Sequence, residues 1–415
     1  MKLTPDQPTA LTALDRPNSY IGRSVPRPNL ARLTHGRGQY VSDLVLPRMA
    51  HVAFVRSPHA HARIKQIGTE QAKKAPGVIA VVTGAELAHV ITPWVGVLTH
   101  LKGIKSAPQH AIAVARACWQ GEAVCAVVAR TRAEAEDACA LVDVDYEPLA
   151  AVADAETALD PATPVIHPEL GDNLTFERTL TAGDPDTAFA EADAVAEATF
   201  VFGRHTGVTN EPRAIVADWN PGDERLTVYH GTQAPHMTQD IFAKHLALEL
   251  HQVRVVTKDV GGSFGIKVHI YADEMATVAL SKLLKRPVKF VADRLESFVT
   301  DIHARDHRVK ARIAVKRRPH YRVRDRRSHR YRALFGLSAH QRHRGQSGGE
   351  PGRRPLRLRE LSGSCPCRLS EQERHVPIPR GRPSHCDPRH RKPHRARGSA
   401  HRHGPAGAAP PQSHS

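Results

Sequence analysis

The sequence predicts an α/β protein with two α/β units, divided near residue 150, and a basic tail at 317–415. Two observations lead to this prediction. Apolar runs of strand length alternate with helical stretches in both units, and this alternation is typical of α/β architecture. After Lys316 the alternation ends, and Arg, His, Pro, Gly and Ser dominate. The 415 residues are enough for two or three domains with their own cores.

The first unit, 20–150, follows a polar N-terminal segment at 1–19. Its strands are predicted from β-branched apolar runs bounded by Pro and Gly. Its helix is predicted from an Ala- and Glu-rich stretch with Thr131 as the N-cap. In chain order the elements are strands at 52–55, 78–82 and 123–129, a helix at 131–141 and a strand at 142–146.

The second unit, 171–316, follows a linker at 151–170 that is rich in Ala, Pro and Asp. Strand and helix periodicities alternate clearly in this unit. The predicted elements are a strand at 226–230, a helix at 235–250, a strand at 253–257, a loop at 261–265, a helix at 271–284 and a strand at 288–291.

The net charge of +17 would favour nucleic acid as a partner if it were spread over the chain. It is not, because 317–415 contains 24 Lys and Arg against 6 Asp and Glu, whereas 1–316 contains 35 against 36. The tail has no sustained period of either 2 or 3.6, so it cannot bury enough apolar surface to offset its chain entropy. We expect it to be disordered.

The cysteines and the N-terminus favour a cytoplasmic location. Cys118, Cys125 and Cys139 are scattered through the body without an iron–sulfur spacing, and unpaired thiols are typical of a reducing compartment. The first residues lack the apolar run of a signal peptide, and no stretch of about 18 apolar residues occurs. We therefore expect a soluble protein with no membrane partner.

The most informative motif is Asp259-Val-Gly-Gly-Ser-Phe-Gly-Ile-Lys267, the glycine loop, which lies between a predicted strand and a predicted helix. Glycines let backbone amides approach a ligand, and a helix N-terminus favours an anion such as pyrophosphate. The motif does not match a phosphate-binding loop, because Ile266 separates Gly265 from Lys267. The residues alone leave a structural turn and a ligand loop equally open.

A second candidate is Gly231-Thr-Gln-Ala-Pro-His236, the glutamine turn, which ends one strand and opens a helix. Strand-to-helix turns are where open α/β sheets bind ligands, and we expect this turn and the glycine loop, which follow neighbouring strands, to open at the same edge of the sheet. Gln233 could hydrogen-bond an oxo group or a cofactor amide, or Thr232 could simply cap the helix.

Together these two motifs resemble the first molybdopterin-domain signature of the large subunits of molybdenum hydroxylases, the xanthine dehydrogenase and carbon-monoxide dehydrogenase superfamily. The first unit is similar to the α/β hammerhead domain of the same subunits. The resemblance covers about 20–316, and further matching stretches lie at 36–43, 54–63, 75–78, 82–84, 142–149, 211–213 and 303–306.

This resemblance implies a hammerhead domain followed by the first part of a molybdopterin-binding domain. It implies oxidation of an aldehyde, an N-heterocycle or a similar small substrate, by molybdenum-hydroxide attack and hydride transfer. The implied cofactor is molybdenum–molybdopterin cytosine dinucleotide or a related molybdopterin. FAD and a 2Fe–2S centre would lie on a medium and a small partner subunit, and the intact family would form a dimer of heterotrimers.

Carried over position by position, Gln233 would face the oxo ligand of the molybdenum. Gly262, Phe264 and Gly265 would line the metal through backbone and ring edge. No side chain would coordinate the metal directly.

Two positions depart from the family pattern. Ser263 stands at the usual third glycine, and Val268 stands where xanthine enzymes carry a substrate-binding Glu. The second departure argues against purine oxidation of the xanthine type. His59 and His61 could suggest a metal site, but the interpretation that we favour is hydrogen-bonded or surface structure on a strand.

We interpret the tail at 317–415 as the product of a shifted reading frame. Where the family continues Val-Lys-Arg-Asp-Gly, this chain has Val315-Lys-Arg-Arg-Pro-His320. When the last two bases of each codon are read with the first base of the next, 357–362 permits D-F-A-N-Y-R and 370–379 permits Q-S-K-N-V-M-C-Q-Y-R. Both strings resemble a later loop of the family. The family's general base would then be missing, so the catalytic residue is unknown and we expect the chain to be inactive.

Two other functions remain open. A non-catalytic remnant could still dock on the partner subunits. A basic-tailed nucleic-acid binder would bind phosphates through the tail, with steep salt dependence. The tail has only Tyr321, Tyr331 and Phe335 for base stacking and matches no recognition fold, so we expect no specific nucleic-acid partner.

Overall fold

The protein, seen here as a computed structural model, is described at residues 27–95 and 103–317 and in two strands further along the chain. The strands are β1 (Ala50–Arg56), β2 (Ala62–Gly68), β3 (Val78–Thr83), β4 (Arg116–Ala117), β5 (Ala123–Ala129), β6 (Asp143–Pro148), β7 (Leu174–Ala182), β8 (Ala194–Phe202), β9 (Ala214–Asn220), β10 (Arg225–His230), β11 (Val253–Val256), β12 (Val288–Val291), β13 (His307–Arg317), β14 (Tyr331–Leu334) and β15 (Leu361–Arg368). The α-helices are α1 (Leu30–Thr34), α2 (Glu70–Lys73), α3 (Gly84–Leu87), α4 (Arg132–Cys139), α5 (Pro185–Ala190), α6 (Pro235–His245), α7 (Ala272–Leu284) and α8 (Arg294–Thr300).

One seven-stranded sheet runs through both predicted units, in the order β11-β10-β9-β12-β1-β5-β3. The junction is the parallel pair of β1 and β12, in which Ala50 lies opposite Val288. On its other side β1 pairs antiparallel with β5. The two predicted units therefore share one sheet, because the backbone of β1 has one partner strand from each unit.

The core lies on the face of this sheet that α6 and α7 cover. In α7 the residues from Asp273 to Ser281 are all buried, which is the pattern of a helix enclosed on every side. The main apolar cluster takes residues from both units. At its centre, Phe54 of β1 and Phe290 of β12 pack edge to face with ring centroids 5.2 Å apart. The packing, like the sheet, is continuous across the predicted boundary.

Local sequence signals placed several elements accurately. The strands at 123–129 and 288–291 form as predicted. Thr131 caps α4 in a capping box: its hydroxyl accepts from the Glu134 amide at 3.2 Å, and Glu134 accepts from the Thr131 amide at 2.9 Å. The helix that begins at Pro235 ends at His245 rather than 250. Ala247 has a left-handed backbone there, with φ of 52°, and such a residue does not continue a helix.

Other elements were missed by the sequence analysis. They include β2, β8, β9, β13 and α8. The residues of β8 are all exposed, so this strand lacks the apolar alternation by which a half-buried strand is recognised. It forms because it pairs with β13 over nine residue pairs, from His307 with Phe202 to Val315 with Ala194.

Two segments of the tail are paired strands, which differs from the predicted disorder at those segments. β14 pairs with β13, and β15 pairs with β7. Both lie at the edge of a small sheet. An edge strand offers unpaired backbone groups that another segment can pair with, whatever its side chains. The rest of the predicted tail, like segment 1–19, lies outside the described residues.

Candidate cofactor-binding site

The glutamine turn and the glycine loop leave the sheet at the same edge. The glutamine turn follows β10 and the glycine loop follows β11, and these strands are parallel neighbours with Leu226 opposite Val253. Parallel strands direct their carboxyl ends the same way, and that edge is where open α/β sheets bind ligands. The arrangement is the one expected from the order of elements along the chain.

The two motifs meet at the backbone carbonyl of Lys267. This oxygen accepts a hydrogen bond from the backbone N–H of Gln233 at 2.9 Å and another from the Thr232 hydroxyl at 3.0 Å. The interpretation of Thr232 as a helix cap is wrong, because the N-cap residue of α6 is Ala234. Thr232 instead accepts from the Ala234 amide at 3.1 Å, so its hydroxyl ties the turn to the loop.

The glycine loop is exposed at Phe264 and Gly265. Gly262, Phe264 and Gly265 have φ values of 100°, 49° and 93°. For the non-glycine residue Phe264 this conformation is strained. A Cβ added at Gly265 would meet no atom within 4 Å, and the Phe264 side chain is 77% exposed. The amides of these three residues donate to no other described residue, so a bound group could accept hydrogen bonds from them.

Glu211 supports the glycine loop from behind. Its Oε2 accepts from the Gly261 amide and from the Lys267 ammonium, both at 2.6 Å, and its own amide donates to the Gly261 carbonyl at 3.2 Å. A Cβ on Gly261 would lie 2.5 Å from the Cβ of Glu211, so this close approach requires glycine. Burial lowers the pKa of Lys267, and Glu211 acts in the opposite direction. Glu211 was noted in the sequence only as part of a motif, and this supporting position was missed.

Arg213 of the same motif anchors the site to α7. Its side chain is 1% exposed and donates to Asp273 at 2.7 Å and to Asp301 at 2.6 Å. The guanidinium also lies 3.8 Å from the ring centroid of Tyr271. The Tyr271 hydroxyl donates to the Ile266 carbonyl at 2.8 Å, so the anchor reaches the end of the glycine loop. Burial lowers the pKa of Arg213, but the carboxylates outweigh it and raise the pKa well above its ordinary value.

The N-terminal stretch at 36–43 contacts the beginning of the glycine loop. The amide of Gln39 donates to Asp259 at 2.8 Å, and the Asp259 amide donates to the Gln39 carbonyl at 3.0 Å. Arg32 makes two parallel hydrogen bonds to the Asp259 carboxylate, at 2.6 and 2.7 Å. The hydrogen bonds that the Asp259 carboxylate accepts, from Arg32 first and then from the Gln39 amide, lower its pKa to about 2.

The other residues discussed in the sequence analysis, His59, His61 and Val268, lie outside the two motifs or in the protein interior. His59 and His61 lie in the connection between β1 and β2 rather than on a strand. His61 bonds to the Ala150 carbonyl at 3.0 Å, and His59 packs on Tyr146. The hydrogen-bonded structure is as predicted for His61, whereas the predicted position on a strand is wrong for both residues. Val268 is buried, at 3% exposure. Within the described ranges, no three His, Cys, Asp or Glu residues are grouped as a metal site, and no helix is long and apolar enough to span a membrane.

Two family models match adjoining parts of the chain. Residues 35–150 match the α/β hammerhead domain of aldehyde oxidase and xanthine dehydrogenase, and residues 166–321 match the molybdopterin cofactor-binding domain. The two matches meet across the predicted linker. Both candidate motifs lie inside the second match.

Similar proteins agree with these matches. The chain is 35% identical to the large subunit of nicotine 6-hydroxylase from Paenarthrobacter nicotinovorans over 309 residues. This match covers 72% of this chain and 38% of that protein. It is also 35% identical to the carbon monoxide dehydrogenase large chain of Afipia carboxidovorans over 296 residues. This match covers 68% of this chain and 36% of that protein. The solved structure of quinoline 2-oxidoreductase from Pseudomonas putida 86 matches with a TM-score of 0.74 at 30% identity, covering 86% of this chain and 45% of that one.

The chain thus spans about two fifths of the length of the curated relatives it matches. The matched domains follow one another as the two halves of the described fold do. With the similarity to large subunits, they show that the chain belongs to the family of molybdopterin-binding large subunits that includes xanthine dehydrogenase and carbon monoxide dehydrogenase.

Proposed function

We propose that this chain is the cofactor-binding part of a molybdenum-dependent hydroxylase large subunit. Gln233, Gly262, Phe264 and Gly265 are the proposed cofactor-binding residues. The observation that carries the proposal is the meeting of the glutamine turn and the glycine loop at the Lys267 carbonyl. This meeting point supports the proposal because it lies at the edge of the sheet where α/β folds bind ligands.

The residues present fit a molybdopterin group. The phosphate of a molybdopterin cofactor would accept hydrogen bonds, and the amides of Gly262, Phe264 and Gly265 could donate them. Open space at Gly265 admits a ligand to the backbone. The cofactor supplies the two-electron oxidation chemistry when bound, and the protein orients it and polarises it. Gln233, an exposed residue, is the proposed side-chain donor.

The cytosine dinucleotide form of the cofactor, the FAD-binding medium subunit and the iron–sulfur small subunit belong to the same proposal. The names of two relatives, a large subunit and a large chain, support an assembly with smaller partners. The proposed substrate class is an aldehyde, an N-heterocycle or a similar small molecule. An apolar, buried Val268 supports a substrate other than one of the xanthine type.

The general base of the family is expected beyond Lys316, so we propose weak or no turnover by this chain as translated. The match to the molybdopterin domain ends at residue 321, close to the proposed frame change. A non-catalytic role in docking on partner subunits is the second candidate. It is favoured by the exposed apolar side chains of β8, namely Val195, Phe200, Val201 and Phe202.

The test is molybdenum uptake. The chain is produced in a host that makes molybdopterin, and molybdenum per chain is measured by mass spectrometry. We expect bound molybdenum in the wild type and less in Gln233→Ala, because one polar contact is lost from an exposed turn. Gln71→Ala on α2 is the control, since Gln71 is also exposed and lies outside both motifs.

In a protein with the reading frame restored after Lys316, Gln233→Ala should lower turnover and leave the melting temperature unchanged.

If the wild-type chain takes up no molybdenum, the proposal is contradicted and the docking role is favoured. The docking role predicts that the chain captures flavin and iron–sulfur subunits without the metal. Equal molybdenum content in the wild type, Gln233→Ala and Gln71→Ala would reject Gln233 as a cofactor contact.

A further inference from the structure

Lys267 is the point through which the glycine loop and the glutamine turn are connected. Its carbonyl accepts from Thr232 and Gln233, as described above. Its amide donates to the Ser263 hydroxyl at 3.3 Å, within the glycine loop. Its ammonium donates to Glu211 at 2.6 Å. One residue therefore bonds to both motifs and to the carboxylate behind them.

Glu211 lies between the same two motifs. Its Oε2 contacts Gly261 of the glycine loop, and its Oε1 would lie 3.9 Å from a Cβ added at Gly231 of the glutamine turn. The side chain is 10% exposed, and Oε1 is buried with no hydrogen-bond partner. Buried polar atoms in folded proteins nearly always have a hydrogen-bond partner, so Oε1 is available to accept a hydrogen bond at this position.

We propose that Glu211 and Lys267 are positioning residues of the cofactor site, and that their buried ion pair clamps the glycine loop to the glutamine turn. The clamp sets the spacing between the amides of the loop and Gln233. Its role towards a molybdopterin ligand rests on the proposed function, whereas the clamp itself is a property of this chain.

The physical reason lies in the burial of the pair. The Lys267 side chain is 1% exposed. A buried charge without its partner is strongly unfavourable, so neither member can leave the other without structural rearrangement. The carbonyl of Lys267 accepts from Thr232 and Gln233, and the ammonium of the same residue donates to Glu211. A shift of the Lys267 side chain is therefore passed on to Thr232 and Gln233 through the backbone.

Hydrogen–deuterium exchange on the full chain tests the clamp without any cofactor. In Lys267→Met we expect faster exchange at 260–268 and at 231–234 together. Lys282→Met is the matched control, because Lys282 donates to the Leu246 carbonyl at 2.7 Å and contacts neither motif. The double variant Glu211→Gln, Lys267→Met should recover part of the protection, since it leaves no unpaired buried charge.

Molybdenum content is the second measurement. Residues that orient a metal site from behind typically change metal affinity by about 10-fold to 100-fold when they are replaced. We expect such a loss in Lys267→Met and a partial return in the double variant, with no loss in Lys282→Met.

Exchange that rises in only one motif, or that the double variant does not lower, overturns the clamp. So does unchanged exchange together with unchanged molybdenum content in Lys267→Met. If Lys267→Met does not fold, the double variant decides: a folded double variant with both motifs protected supports the pair, and an unfolded one overturns it. Absence of molybdenum from the wild type would reject the proposed function, and the exchange data would still decide on the clamp.

Discussion

At the scale of single residues, the guanidinium of Arg213 is tightly constrained. It lies in the core with the carboxylates of Asp273 and Asp301, and it donates to the Thr300 hydroxyl at 2.9 Å. A buried ion pair adds little stability over an apolar replacement of the whole set, but removal of the arginine alone takes a cation away from buried carboxylates. Arg213 is therefore expected to be far more sensitive to substitution than a surface arginine.

We predict that Arg213→Met lowers the free energy of unfolding by roughly 3–5 kcal/mol, because buried carboxylates lose their cation. Urea denaturation followed by circular dichroism measures the change. Arg312→Met is the control: Arg312 is 46% exposed and pairs with Glu197 at 3.4 Å, and exposed pairs of this kind contribute about 1 kcal/mol or less. Similar losses in the two variants would show that the buried network does not have this role.

At the scale of elements, short segments are held on the body by side chains rather than by their own helical stability. Helix α1 has five residues and no buried ones. Its attachment is the Arg32–Asp259 pair, supported by the hydrogen bonds between Gln39 and Asp259. Lys289 of β12 similarly donates to the carbonyls of Ser42 and Leu44 at 2.5 and 2.9 Å. The N-terminal segment is thus fastened to the glycine loop and to the central sheet.

We predict that α1 detaches when Asp259 is protonated. Its pKa is lowered from 3.8 to about 2, so the stabilisation is present above pH 3.8 and is lost as the pH falls towards 2. Pepsin cleavage near α1, relative to cleavage elsewhere, should rise over this interval. In Asp259→Asn it should already be fast at the upper end of the interval. A pH profile that is the same in the variant and the wild type would contradict this assignment.

At the scale of the whole molecule, the two matched domains share a sheet and an ion network. Arg56 of β1 contacts Asp273 of α7 at 3.0 Å and Glu296 of α8 at 2.7 Å. Asp273 also binds Arg213, so charges from both halves meet in one buried cluster. The boundary near residue 150 therefore separates two domains that are matched by different family models, but the two domains pack against each other through one sheet.

We predict that residues 1–150 alone do not fold cooperatively. Without β12, one edge of β1 loses its partner, and apolar residues such as Phe54 lose their contacts across the sheet. Thermal unfolding followed by circular dichroism should give a broad, non-cooperative curve for this fragment and a sharp transition for the full chain. A sharp transition in the fragment would show that the first domain is independent.

The proposed change of reading frame is tested on the DNA. We predict that the other frame after the codon for Lys316 encodes an uninterrupted family sequence, in a subunit roughly twice the length of this chain, as the share of the relatives that it covers indicates. Sequencing of the gene checks this. Stop codons, or the absence of the back-read strings, in both alternative frames would reject the frameshift.

The amino-acid sequence by itself determined those features that depend on neighbours along the chain. The capping box at Thr131 needs only a hydroxyl and a carboxylate three residues apart. The buried strand at 123–129 needs only a continuous apolar run. The spacing of the glutamine turn and the glycine loop around α6 was also enough to predict that both open at one edge of the sheet, because parallel strands impose it.

Only the tertiary structure decided which distant residues meet. Glu211 and Lys267 are 56 positions apart, and Arg213 and Asp301 are 88 positions apart. The contact between β1 and β12 joins two matched domains whose separate sequence signals say nothing about a common sheet. Periodicity and capping report free energies that are local in sequence, whereas burial of a charge and the choice of a strand's partner depend on the whole packed arrangement.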